Sequence, residues 1–322
     1  MLFCASSLYS AVFHKEVDTT NTTFEWVVED VSAFDELVVS WNALRPDVGE
    51  YALYVRVKGD EWSEDLLYAV WGSSYQRTFT SMSANQLVRT NEDTVELLKG
   101  SMATGFGIKI EAKNGAKLNK IWALHASTCN LSAFKEAIAR DAMWQAKESI
   151  KLAVPGRSQL ALAHSRNMDL CSPTSTSAVV SFLSGTHIEA TEFAKRVWDA
   201  GFDIYGNWIF NVAESAACMG RQWHAYMARF DSFEQIYANL KKGVPTVVSV
   251  RGQLPGALLP YSKGHLIAVI GYDAEKDRIL CMDPAYVSDQ DTLVAYSKKD
   301  FLEVCARRGY IGYFFDRASC KI

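Results

Sequence analysis

Between residues 24 and 129 the apolar positions come in short, evenly spaced runs and not at helical spacing. Residues 36–42, 51–57, 66–71, 105–111 and 118–124 are rich in Val, Ile, Tyr and Trp. Such side chains suit a half-buried pleated surface, and the segments between them carry turn signals: Arg45-Pro46-Asp47, Lys58-Gly59-Asp60 and Lys113-Asn114-Gly115. This pattern predicts an all-β sandwich over residues 24–130, with an eight-to-ten-strand jelly roll as its form, after a poorly ordered segment 1–23. A helical spacing of apolar residues over 133–144 then marks 131–152 as a connecting segment, and Pro155 opens the second domain.

From residue 153 to 322 the pattern is mixed. Helices are predicted from Cys171 through the apolar run 178–183, over 187–199 with Phe193 and Val197 one turn apart, over 209–219, and over 232–240 with Ser232 as cap. Alternating or continuous apolar runs predict strands at 223–230, 245–250, 265–271, 279–282 and 310–315. A helix-first half followed by a mostly antiparallel sheet is an α+β order.

With 322 residues, 49% of them hydrophobic, the chain is long enough for two domains that each have a core. No apolar run approaches the ~20 residues of a membrane-spanning helix. A net charge of -4, with basic residues only in short pairs such as Lys241-Lys242 and Arg307-Arg308, disfavours nucleic acid or an anionic membrane as partner. The seven cysteines are scattered and odd in number, with no C-x-x-C pair, which argues against a disulfide scaffold and against a structural zinc site. Residues 1–8 are moderately apolar with no basic residue before Lys15, so the charged start of a secretory signal is missing and the compartment stays open between cytoplasmic and secreted with a trimmed signal.

The candidate chemistry centres on Cys171, in Asp169-Leu170-Cys171-Ser172-Pro173-Thr174-Ser175, where a loop gives way to a helix. Pro173 has the pre-set φ of a helix start, and Ser172, Thr174 and Ser175 are candidate caps. A thiol at the positive end of a helix has a lowered pKa and more of the nucleophilic thiolate, although a lone cysteine before an apolar run is more often core filling. Two downstream motifs change that balance. Gly264-His265 opens a continuous apolar run, and Cys281-Met282-Asp283-Pro284 sets an aspartate at a strand end, where the proline forces extended backbone. Cysteine, histidine and carboxylate can act as nucleophile, base and orienting group.

The order Gln159, Cys171-Ser172-Pro173, Gly264-His265, Asp283-Pro284 resembles the C39-like branch of the papain-like cysteine peptidases, over about residues 150–320. The resemblance implies a papain-like domain over 153–322, with a helical half and an antiparallel sheet. It also implies Cys171, His265 and Asp283 as catalytic, Gln159 as an oxyanion donor beside the Cys171 N–H, and Gly206-Asn207-Trp208 near the substrate cleft, so that Asn207, Trp208 and Gly264 are expected to bind substrate. Segment 24–130 resembles the galactose-binding-like jelly rolls that precede some bacterial C39-like domains. Trp26, Trp41, Trp62 and Trp71 are then candidates for a carbohydrate-stacking platform, set against the commoner role of tryptophans as sandwich core. The other histidines compete less well with His265 as base: His14 falls in the loose terminus, His125 in the sandwich, His164 and His187 in polar segments, and His224 among aromatics on a strand. Asp273 is the rival orienting carboxylate, in a segment that reads as an exposed hairpin tip.

The function expected is cleavage of a peptide or isopeptide bond through a thioester, with no metal or organic cofactor. Two alternatives stand beside it: a transamidase or deamidase using the same Cys-His pair, and a glycan- or cell-surface-binding protein on a degenerate peptidase scaffold.

Overall fold

The structure is a computed structural model and describes residues 9–131, 133, 134 and 144–318. Its N-terminal half holds ten strands: β1 (Ser10–Glu16), β2 (Thr23–Val28), β3 (Glu36–Ala43), β4 (Glu50–Lys58), β5 (Leu66–Gly72), β6 (Gln76–Thr78), β7 (Val88–Asn91), β8 (Thr94–Leu97), β9 (Gly105–Lys113) and β10 (Ile121–Cys129). They pair antiparallel into two sheets, β1-β10-β3-β8-β7 and β2-β9-β4-β5-β6. The period of two is the cause: in β9, Phe106, Ile108 and Ile110 are buried while Lys109 and Glu111 reach water. The inner faces meet through Phe13 of β1 against Phe106 of β9 and Trp41 of β3 against Trp71 of β5, with ring centroids 5.4 and 6.0 Å apart.

Two expectations change here. Residues 10–16 are not a loose terminus, because β1 lies along β10 from Ser10 opposite Cys129 to Glu16 opposite Ala123 and packs Phe13 on the core. The tryptophans form no exposed carbohydrate platform. Trp41 and Trp71 are fully buried, Trp26 is buried against Phe106, and the ring of Trp62 lies under the Arg56 guanidinium, 5.1 Å away. Most of the helix expected over 133–144 lies outside the described residues.

The C-terminal half runs β11 (Ile150–Lys151), α1 (Cys171–Ser184), α2 (Ala190–Val197), α3 (Trp208–Met219), β12 (Trp223–Arg229), α4 (Phe233–Lys241), β13 (Thr246–Gly252), β14 (Tyr261–Asp273), β15 (Arg278–Met282), β16 (Leu293–Ser297), α5 (Lys298–Ala306) and β17 (Ile311–Arg317). The strands form one antiparallel sheet in the order β12-β17-β13-β14-β15-β16, with β11 also paired to β14. Both faces of this sheet are covered. Leu266, Ala268 and Ile270 of β14 join the cluster that holds α1 and α3, whereas Ile267 and Val269 join α4 and α5 on the other side. A continuous apolar run is what a strand covered on both faces requires.

The sandwich does not keep the separate core expected of it: it shares one with the α1/α3 face of the C-terminal sheet, while the α4/α5 face has a separate cluster. One cluster of buried side chains runs from Val17 in the sandwich to Phe315 in β17. β3 is buried at every position because one side faces the sandwich and the other faces β12 and α3. Along this seam Glu36 takes both Nε and Nη2 of Arg229 (2.8 and 2.5 Å), and Asn42 accepts the amide of Ala225 and donates to its carbonyl. The first amide of α3, at Trp208, is held by Asp93 (2.8 Å). A buried ion pair stripped of one partner costs about 3–5 kcal/mol, so this seam is a packed interface and not a linker contact.

Candidate active site

Helix α1 carries Cys171 as its first residue. The preceding residue, Leu170, caps nothing with its side chain, and the serines expected as caps bond elsewhere. Ser172 Oγ pairs with the Tyr313 hydroxyl on β17 (2.8 Å), and Ser175 Oγ donates to the Leu266 carbonyl on β14 (2.9 Å). These two bonds dock the start of the helix on the sheet, so the thiol is carried against His265. As the first residue of α1, Cys171 has no intrahelical acceptor for its own N–H.

His265 lies five residues into β14, after Gly264, whose φ of +103° is a conformation that other residues rarely adopt. Its Nε2 donates to Asp283 Oδ1 at 2.8 Å, which leaves Nδ1 for the thiol of Cys171. The ring is buried and stacks on Tyr261, with centroids 4.1 Å apart and planes 14° from parallel.

Asp283 follows β15 by one residue and is fully buried. Four hydrogen bonds converge on its carboxylate: His265 Nε2 and the Ala285 amide on Oδ1, and the Tyr261 and Tyr296 hydroxyls on Oδ2, both at 2.6 Å. Burial alone would push this carboxyl up. The charge of His265, the imidazole hydrogen bond and the two hydroxyls reverse that and hold it below the ordinary 3.8.

The same opposition of terms sets the other two groups. For His265 burial lowers the pKa, but the charge of Asp283, then that of the thiolate, and hydrogen bonds to both raise it to about 10. For Cys171 burial raises it, yet the His265 charge, the hydrogen bond from its ring and the amides of Leu266 and Ser172 bring the thiol below its ordinary 9.0. The pair therefore favours thiolate and imidazolium together.

A comparison with protein families falls on this half of the molecule. The profile of the peptidase C39-like family matches residues 151–312, half of the chain. The chain belongs to the peptidase C39-like family. No curated protein matched it. Membership in the C39-like family gives the chain a cysteine-peptidase type of function and a peptide or protein as its class of substrate.

The other C39-like residues foreseen in the sequence fall in different places. Gln159 is buried in a fixed loop: its amide bonds the Pro284 carbonyl (2.9 Å), and its Nε2 donates to the carbonyls of Asn167 and Met168 (3.0 Å each), in the turn that runs into Cys171. Its Oε1 is buried with no partner among the described residues. Asn207, expected in the substrate cleft, is instead wholly buried. Its side chain caps α3 through Phe210 and donates to Asp199 and Thr78, because the glycine-punctuated loop before α3 turns inward against the sandwich. Trp208 is mostly buried, while Gly264 faces Arg308, whose guanidinium lies 5.1 Å from the Trp208 ring. Asp273 is not near His265; its Oδ1 accepts the amides of Glu275 and Lys276 at the hairpin tip.

Tyr261 and Tyr296 were not foreseen. In the sequence a strand tyrosine carries no signal beyond its propensity, and only the fold brings both hydroxyls to one carboxylate oxygen. Tyr261→Phe keeps the stacked ring and removes one of these hydrogen bonds. We expect kcat/KM to fall about tenfold and the melting temperature to drop by several degrees, since a hydrogen bond to a charged group is worth about 1.5–3 kcal/mol. Steady-state kinetics at several pH values checks this, and an unaltered rate would remove Tyr261 from the positioning machinery.

Proposed function

We propose that the protein is a thiol-dependent hydrolase of papain-like architecture that cleaves a peptide or isopeptide bond through Cys171, His265 and Asp283, with the sandwich as an attached jelly roll. The observation that carries this reading is the buried chain of contacts from Asp283 through His265 to a helix-start thiol with a lowered pKa. The Cys171 thiolate attacks the substrate carbonyl carbon, and the oxygen takes the negative charge. Its partner as the site stands is the Cys171 N–H; Gln159, whose two Nε2 hydrogens are taken by the Asn167 and Met168 carbonyls in the turn beside the thiol, joins it by exchanging one of those bonds for the oxyanion. His265, protonated on the nitrogen facing the thiol, gives that proton to the leaving amine as the C–N bond breaks and a thioester forms. Neutral His265 then takes a proton from water, which attacks the thioester and returns the thiolate and a carboxylic acid. Throughout, Asp283 holds Nε2 and balances the imidazolium.

Trapping the thioester tests the reading. An activated peptidyl ester mixed with the protein and quenched in acid should add one acyl group, mapped by mass spectrometry to Cys171, and the adduct should decay faster in the native protein than in Gln159→Ala. Acylation of other cysteines with Cys171 untouched would overturn it.

A further inference from the structure

Away from this site, three histidines far apart in sequence meet at the seam between the two halves. His14 and His125 are directly opposed on β1 and β10, and His224 comes from β12 across the seam. Their ligand-type nitrogens all lie within 4.8 Å of one another. The geometry points to a binding site for one divalent transition metal of the zinc class, held by His14, His125 and His224 and stapling the sandwich to β12.

Three observations support this. The first is the tautomer of His125. Asn42 is fixed by donating to the Ala225 carbonyl and accepting its amide, so its Oδ1 can only accept; His125 Nε2, 3.2 Å away, must therefore carry the proton. The bare lone pair of His125 Nδ1 then faces His14 Nδ1 at 3.4 Å. A hydrogen bond to the far nitrogen is how a metal-binding imidazole is oriented. The second is distance. Two nitrogens on a tetrahedral zinc with Zn–N of 2.0–2.1 Å sit about 3.3 Å apart, and the ring centroids about 5.2 Å apart. The pairs here have centroids 4.8, 4.6 and 5.5 Å apart. The third is charge and vacancy of bonding. His224 Nδ1 is buried with no partner among the described residues, and the carboxylates of Glu16 and Asp316 are close enough to act on His224. Half-exposed His14 and His224 leave the outer side of the cluster open for a fourth ligand, water or a carboxylate.

Cysteine counting does not detect such a site, since no cysteine takes part. It is separate from the acyl-transfer chemistry, which needs no metal.

The test uses the full chain without an affinity tag and with Cys171→Ala, so that the active thiol cannot bind the ion. Titration with zinc alone should show one ion per chain and a higher melting temperature, and cobalt(II) should give the visible bands of tetrahedral coordination. His14→Gln and His224→Gln should each weaken zinc binding at least about a hundredfold and abolish the thermal shift. If either variant fails to fold, X-ray absorption of the zinc-loaded parent decides: three imidazole nitrogens at about 2.0–2.1 Å support the site. No saturable binding, equal binding by both folded variants, or a shell without imidazoles would overturn it.

Discussion

Cys171→Ala is expected to abolish turnover, because no other atom in the site can form the thioester, and His265→Ala to lower kcat by roughly 10³ or more. The two losses have different causes. Without Cys171 there is no nucleophile. Without His265 the thiol loses both the charge and the hydrogen bond that bring its pKa down, while burial, which raises it, remains. Cys171→Ala/His265→Ala should therefore be no worse than Cys171→Ala alone, since the residues act as one unit. Steady-state rates on any turned-over peptide check this, and residual activity in Cys171→Ala would remove the mechanism.

Asp283→Asn should lower kcat by about 10²–10³, less than the ~10⁴ of the equivalent change in a serine triad, because a thiol depends less on its base. The pH profile should show why. The charge of Asp283 is the largest influence raising His265 to about 10. Its removal lets the imidazolium lose its proton at lower pH, so the alkaline limb of kcat/KM moves toward neutrality. With less positive charge on His265 the Cys171 thiolate is less favoured, so the acid limb moves up. The bell narrows from both sides. The two tyrosine hydroxyls on Oδ2 are also left to a poorer partner, and a stability loss of about 3–5 kcal/mol is expected for breaking a buried pair. Asp273→Asn should leave kcat unchanged, since that side chain only caps an exposed hairpin. The opposite ranking of the two variants would reassign the orienting carboxylate.

The features legible in the chain are those whose signals are local. The Cys171 helix start, the strand carrying His265 and the strand end before Asp283 are each marked by neighbouring residues: Pro173, an apolar run and Pro284. The central strands β3, β4, β5 and β9 were legible for the same reason, through their Val, Ile, Tyr and Trp runs. β1, β7, β8, β16 and α5 were not. Their sequences are short or polar, as in Val88-Arg89-Thr90-Asn91, and they are strands or helices because partners hold them. The shared core was hidden too. β3 alternates like a strand with one wet face, yet Glu36 and Asn42 on the polar side are buried because Arg229 and Ala225 lie nearly two hundred positions away in the chain. Asn207 misled for the same reason, since a polar residue in a glycine-rich loop looks exposed until Asp199 and Thr78 are found around it.

The central claim is that one cysteine is held as thiolate by His265. The most direct measurement is the rate of alkylation of each cysteine by iodoacetamide between pH 5 and 10, resolved by peptide mass spectrometry. Cys171 should react with an acid inflection below 9, as the direction of its pKa shift requires. Half-exposed Cys218, pushed up to about 12 by burial and by Glu214, should stay slow across this range, as should Cys281 and Cys305, which burial also raises. In His265→Ala the Cys171 inflection should move above 9. A Cys171 that titrates like an ordinary thiol in the native protein, or that is unmoved by loss of His265, would contradict the account.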